Sequence, residues 1–431
     1  MRGVKGALMG AAMAAATAHA APPTATESDP VRLGLMQGFP VPADKQVRFD
    51  DASMWRFPNT RWAFSNMAAL VPTVPIRRSG AVSPLPRATR SDIDAIPLKT
   101  LDGTAMTWRE SLDAVYADGI VVLHRGRIIY ERYLGALGPA DKHLAMSVTK
   151  SFVGTITESL IAEGKLDPAR TIASYVPELA RSGFGDATLR QVLDMRTAIA
   201  FSEDYVPGAT GLTDVQRMSI ASGLAPRPPG YDGPNGGYAL AASIPANGTH
   251  GGDFVYRTPN TMVLAWVIER ITGQSVAAQI EARFWSKLGM EQDANLIVDG
   301  GGTAFAGGGM NASLRDMARF GEMIRLGGRW KGQQIVPAAV VEQLARGGDP
   351  ATFAHTKYPG LDGGSYASQW WHRAGGQMMA MGVNGQGIYI DQRAELVIAR
   401  FASHPVATNR AINPVTIPAY DALTAHLARA K

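Results

Sequence analysis

Residues 145–154 read AMSVTKSFVG and hold the chain's one Ser-x-x-Lys pair, Ser147 and Lys150. The run that follows, SFVGTITESLIAEGKL, spaces Phe152, Ile156 and Leu160 four residues apart and meets Pro168 beyond its end. That spacing predicts a helix opening at Ser147. Positions i and i+3 share one side of a helix, so Ser147 and Lys150 can point at one spot. A serine hydroxyl is a poor nucleophile until a neighbouring base takes its proton. A lysine becomes that base when a dry, electropositive setting disfavours its charge. At a helix N-terminus, unspent N–H groups and the positive dipole end also favour an oxyanion. Serine is equally a common helix N-cap, so the pair by itself leaves a nucleophile and an ordinary helix start both open.

Upstream, GIVVLHRGRIIYERYLG gives two β-rich runs, 120–123 and 128–133, around a turn at 124–127, an antiparallel hairpin. Downstream, from about 170 to 345, helical patterns (TLRQVLDM, TMVLAWVIERITG, SLRDMARFGEMIRLGG) are broken by Gly/Pro loops. Strand patterns return in YASQWWHR, GQGIYIDQ and ELVIARFAS, and IPAYDALTAHLARA closes the chain as a helix. Strands from both ends around a helical stretch predict one antiparallel sheet built from the two termini, in an α/β body over 101–431 with a helical subdomain inserted at about 170–345. Residues 21–100 are Pro-punctuated and irregular, and their Trp55, Trp62 and Phe64 need a folded body to bury against. Trp370 and Trp371 alternate across a strand, which predicts one in the core and the other at a cleft rim.

The first twenty residues combine a basic start (Arg2, Lys5), an apolar small-residue run and AHA at 18–20. They read as an export signal cut after Ala20, giving a periplasmic or secreted protein with no membrane anchor once the signal is removed. Losing Arg2 and Lys5 takes the formal net charge from +5 to +3. With no basic run carrying interleaved aromatics, nucleic acid is not an expected partner. The absence of Cys excludes disulfides, thiolate zinc sites and a cysteine nucleophile. Gly-x-Ser-x-Gly, His-Glu-x-x-His and phosphate-loop patterns do not occur, the eight His are scattered, and GGGTAFAGGG fits no nucleotide-binding spacing.

Ser147-Val148-Thr149-Lys150 at a helix start resembles the active-site motif of the penicillin-recognising serine hydrolases. These comprise class C β-lactamases, D-alanyl-D-alanine carboxypeptidases, related esterases and the 6-aminohexanoate-dimer hydrolases. The last group is the nearest in pattern, through NTRWAFSNMAALVPT, MSVTKSF, FSEDY, YRTPNTMVLAWVIERITG, GGMNASLRDMARFGEMI and GVNGQGIYID. The resemblance implies a β-lactamase/transpeptidase-like fold, a site between sheet and helical subdomain, and acyl transfer without metal or cofactor.

The resemblance also assigns site residues. Tyr256 would complete the base system, most easily if Lys150 lowered its pKa. Relatives often carry Tyr-x-Asn here, and Asn260 would stand in for that amide. Val383-Asn384-Gly385 would replace the usual Lys-Thr-Gly, and the Gln386 N–H would join that of Ser147 in an oxyanion hole. Without that lysine, which holds the carboxylate of β-lactams, a linear small-molecule amide or ester fits better than a β-lactam. Tyr205 in FSEDYVPG is open to two readings, a substrate contact or a surface loop residue. Glu203 and Asp204 read as solvated loop charges. The leading expectation is an amidase for short linear amides. A carboxylesterase or β-lactamase-type enzyme, and a non-catalytic ligand-binding module, are the alternatives. Oligomeric state is not legible.

Overall fold

The hairpin is present as β1 (Ala117–His124) and β2 (Arg127–Tyr133), antiparallel, with Val122 opposite Tyr130 and a bulge at Leu123. Arg125 and Gly126 close it with positive φ, as a tight two-residue turn requires. The computed structural model describes residues 22–205 and 211–429, so the signal reading at 1–20 lies outside the described residues.

Five later strands extend this hairpin: β3 (Ser365–Ala367), β4 (Trp370–His372), β5 (Met378–Gly382), β6 (Gln386–Asp391) and β7 (Leu396–Ala402). The sheet order is β3-β4-β5-β6-β7-β1-β2, antiparallel throughout. Val397 pairs with Leu123, and here the two chain ends meet. Alternate residues of β1 and β7 enter different cores. Val121, Leu123, Val397 and Ala399 join one, while Ile120, Val122, Leu396 and Ile398 join the other. Strands buried on both faces need cover on both. One side is covered by α1 (Trp108–Ala114) and the C-terminal α6 (Asn409–Arg429), which contact each other, and their Trp108 and Leu423 lie in the second core.

The other face carries α2 (Val148–Ala162) and α5 (Leu314–Arg325). Every residue of α2 from Val148 to Leu160 is buried, so this helix is core on all sides. Its Phe152 stacks on Phe320 of α5 at 3.8 Å between ring centroids. Truncating such a ring to Ala costs about 3–5 kcal/mol. Gly154 shows how close α2 comes to the sheet edge, since a Cβ there would strike the Ser368 carbonyl oxygen.

The helical layer, with α3 (Asp214–Ala221) and α4 (Pro259–Thr272), ends earlier than its sequence pattern indicates. Residues 294–297 form a strand, and α5 lies on the main sheet. A small second sheet holds Thr73–Ile76, Ala294–Ile297, Met310–Ala312 and His143–Leu144 in that order. The N-terminal segment is therefore part of the body. Its Phe64 is buried, and buried Arg61 pairs with buried Asp118 at 3.1 Å.

YASQWWHR divides into β3 and β4 at Ser368 and Gln369, both with positive φ. Trp370 and Trp371 do fall on opposite faces, but both are buried. Neither stands at a cleft rim, because each face of this sheet is covered.

Candidate active site

Ser147 caps α2 at the end of a strained turn: Met146 just before it holds φ 48. The Ser147 side chain makes no capping hydrogen bond, which leaves its hydroxyl free of the helix backbone. The N–H groups of Val148, Thr149 and Lys150 donate to the carbonyls of Ala145, Met146 and Ser147. Among the described residues no carbonyl accepts the Ser147 N–H. That donor sits where an oxyanion hole needs one.

Lys150 is 1% exposed, and its Nζ lies 3.1 Å from Ser147 Oγ, 2.9 Å from Thr258 Oγ1 and 2.5 Å from the Gly307 carbonyl oxygen. Burial pulls its pKa down to about 8, and the Glu203 carboxylate pushes the other way. Desolvation wins, so the neutral amine is accessible near physiological pH.

The hydrogen-bond partners then assign each proton. Thr258 Oγ1 donates to Glu203 Oε1 at 2.5 Å, so toward Lys150 it offers a lone pair. The Gly307 carbonyl can only accept. A neutral lysine has two N–H bonds and one lone pair. With both N–H bonds spent on Thr258 and Gly307, the lone pair faces Ser147. This is the arrangement a general base needs. Gly307 must be glycine, because a Cβ there would collide with the Thr258 methyl.

Glu203 is therefore no solvated loop charge. It accepts from the Thr258 backbone N–H at 2.9 Å, from the Thr258 hydroxyl, and from the Tyr205 hydroxyl at 2.8 Å. Thr258 is the N-cap of α4, so the carboxylate also meets the positive end of that helix.

Tyr256 places its ring centroid 5.1 Å from Lys150 Nζ and stacks on Trp371 at 5.4 Å. Burial first, and then the Glu203 charge, raise its phenol well above the ordinary value, while a hydrogen bond with Ser147 pulls it back. The expectation of a lysine-lowered phenol is thus corrected. The Tyr256 phenol is held in its protonated form, and Lys150 is the group whose charged form burial disfavours.

Asn260 is not brought to the site. It is fully buried, accepting from Thr197 Oγ1 at 2.9 Å and donating to Met195 Sδ at 3.5 Å. The reason is local: Pro259 starts α4, so the next residue turns onto the helix's buried face. The position two after Tyr256 is Thr258, and the spacing Tyr-x-Thr is the signal that the choice of Asn260 passed over.

Across the cleft, Val383 and Asn384 line the wall. Asn384 holds φ 60, with its N–H on the Ala407 carbonyl and its side-chain amide on that of His404. Gly385 takes φ 99, and its carbonyl accepts from Arg400. The Gln386 side chain is turned away from the cleft onto the Ala402 backbone. Tyr205, 38% exposed, lines the cleft. The cavity over Ser147 measures about 510 Å³. Trp55, Thr60 and Phe64 of the N-terminal segment form part of its wall, a role their sequence did not announce.

The Beta-lactamase family model matches residues 110–417. A 6-aminohexanoate-dimer hydrolase of Paenarthrobacter ureafaciens is 34% identical over 351 residues, spanning 81% of this chain and 86% of the relative. A solved Bacillus anthracis structure, provisionally named a 6-aminohexanoate-dimer hydrolase, superposes with a TM-score of 0.80 at 30% identity. It covers 90% of this chain and 99% of its own. A D-stereospecific amidohydrolase from Streptomyces shares the fold, with a TM-score of 0.52 at 17% identity over 71% of this chain and 96% of its own.

Proposed function

The chain belongs to the β-lactamase family of serine hydrolases, and on that premise we propose that it is an exported amidase cleaving short linear amides through an acyl-enzyme on Ser147. One observation carries the reading. A buried amine with its pKa lowered to about 8 lies 3.1 Å from an uncapped serine hydroxyl, beside a neutral phenol.

Ser147 Oγ attacks the amide carbonyl carbon as its proton passes to Lys150 Nζ. The oxyanion is held by the Ser147 N–H and by a second donor from the 383–386 turn. Collapse breaks the C–N bond. The Tyr256 phenol protonates the departing nitrogen and regains a proton from the Lys150 ammonium. Water, deprotonated by the same system, then attacks the ester and frees Ser147.

The relative's name supports an amide substrate. The absence of any Lys or Arg among the described cleft-lining residues argues against β-lactams, whose carboxylate needs a cation. The basic, apolar, small-residue start of the chain supports export with cleavage after Ala20.

Turnover of a linear amide, a p-nitrophenyl ester and nitrocefin by wild type and Ser147→Ala tests the proposal. The amide is hydrolysed, nitrocefin is not, and the variant loses both amide and ester activity. Unchanged amide hydrolysis by Ser147→Ala would sink the serine assignment. N-terminal sequencing of the mature protein tests the cleavage site.

A further inference from the structure

The name of the 34% identical relative specifies an unusual substrate. A 6-aminohexanoate dimer carries an ammonium at one end and a carboxylate at the other, six-carbon chains apart from any ring. A site built for the ammonium half needs an available carboxylate or a ring of oriented acceptors, because an unpaired charge is costly to dehydrate.

The cleft over Ser147 is built otherwise. Among its described lining residues none is Asp, Glu, Lys, Arg or His. Residues 206–210, one of the stretches outside the described residues, read VPGAT and carry no ionisable side chain. The wall is instead made by Trp55, Phe64, Val215, Ile220, Leu224 and Phe305. Two nearby carboxylates are committed elsewhere. Glu203 holds Thr258 and Tyr205. Asp214 pairs with Arg217 at 2.8 Å and accepts the Ser202 N–H at 2.9 Å. Trp55 is locked in place by donating its indole N–H to the Leu224 carbonyl at 2.6 Å, so N-terminal segment and helical layer form one wall.

The cavity also has a definite side. Ser147 lines it and Tyr256 does not. Since the leaving nitrogen departs toward the phenol that protonates it, the cavity receives the other half of the substrate, the acyl group.

We propose that the acyl half of the substrate is an apolar, uncharged chain or ring seated against α3 and Trp55, and not an ω-amino acyl chain. This rests on the acyl-enzyme reading of Ser147 and narrows it. A volume of about 510 Å³ suits a medium-length acyl group.

The test compares acetyl, butanoyl and hexanoyl p-nitroanilides and p-nitrophenyl esters with the 6-aminohexanoyl versions, and measures inhibition by hexylboronic and 6-aminohexylboronic acids. The expected kcat/KM climbs about fourfold per added methylene, and the terminal ammonium lowers it by at least about tenfold. Gln216→Glu supplies a second arm. Gln216 lines the cleft and sits in a capping box that accepts Glu equally well, so the isosteric change keeps α3 while adding a negative charge. It should narrow the hexanoyl-to-aminohexanoyl ratio. Equal or better turnover of the aminohexanoyl compounds by wild type overturns the proposal and leaves the hydrolase reading standing. If no compound is turned over, the hydrolase reading falls, and the boronic acids decide the pocket. Tighter binding of hexylboronic acid supports it, and equal or weaker binding overturns it.

Discussion

The floor and the wall of the cleft are built on opposite principles. On the floor, buried Lys150, Thr258 and Gly307 and half-buried Ser147 and Glu203 form a polar chain of hydrogen bonds. The described wall beside it is uncharged and mostly apolar, assembled from the N-terminal segment, α3 and the 383–384 turn. The floor has one workable arrangement, because a buried polar group left unpaired costs about 1–3 kcal/mol. The wall constrains only shape and polarity, so it can differ between relatives that share the floor.

Substitutions on the two regions should therefore differ in kind. The largest effect belongs to Ser147→Ala, which should reduce amide kcat by about 10⁴-fold or more with folding unchanged by circular dichroism. Tyr256→Phe comes next, lowering kcat by about 10²–10⁴-fold through loss of the proton donor. That loss should be smaller for p-nitrophenyl esters, whose leaving group needs no proton. An equal loss on both substrates would remove Tyr256 from leaving-group protonation.

Glu203→Gln tests how the floor is wired. In wild type the base must be unprotonated, so kcat/KM should rise about tenfold per pH unit and level off above about pH 8. Removing the carboxylate removes what pushes the Lys150 pKa up, so the rising limb should move to lower pH. The plateau should fall about tenfold, since the Thr258 proton is no longer held away from Lys150. A limb that stays in place or moves to higher pH would contradict the arrangement.

The smallest effect is expected on the wall. Trp55→Ala should raise KM for apolar acyl substrates about tenfold while changing kcat little. A pH limb altered by this variant would erase the distinction between the two regions.

Much of the architecture was legible because period and punctuation are local. The turn at 124–127, the four-residue spacing after Ser147 and the late strand runs each declare their element within a few residues. Misreadings arose where a residue's neighbour is distant. SLRDMARFGEMIRLGG has the pattern of any amphipathic helix, and only contact with Ile388 and Val397 beside Gly321 places it on the main sheet. Glu203 looks like a loop charge in FSEDY, because its partner Thr258 is 55 residues away. Asn260 was chosen by residue type over position, and its two-residue offset from Thr258, about half a helical turn, points it away from the site.

The amino-acid sequence alone determined that a serine and a lysine share one helical face, that strands from both ends build one sheet, and which family motif this resembles. The first two are consequences of periodicity, which any short window carries, and the third is a resemblance of motif. Only the tertiary structure decided that Lys150 is dry, that its amine lies against Ser147, Thr258 and Gly307, that Glu203 holds Thr258, and that the N-terminal segment helps wall a cleft with no charged residue among its described lining. Desolvation and proton direction depend on which distant atoms surround a group, and no spacing along the chain records that.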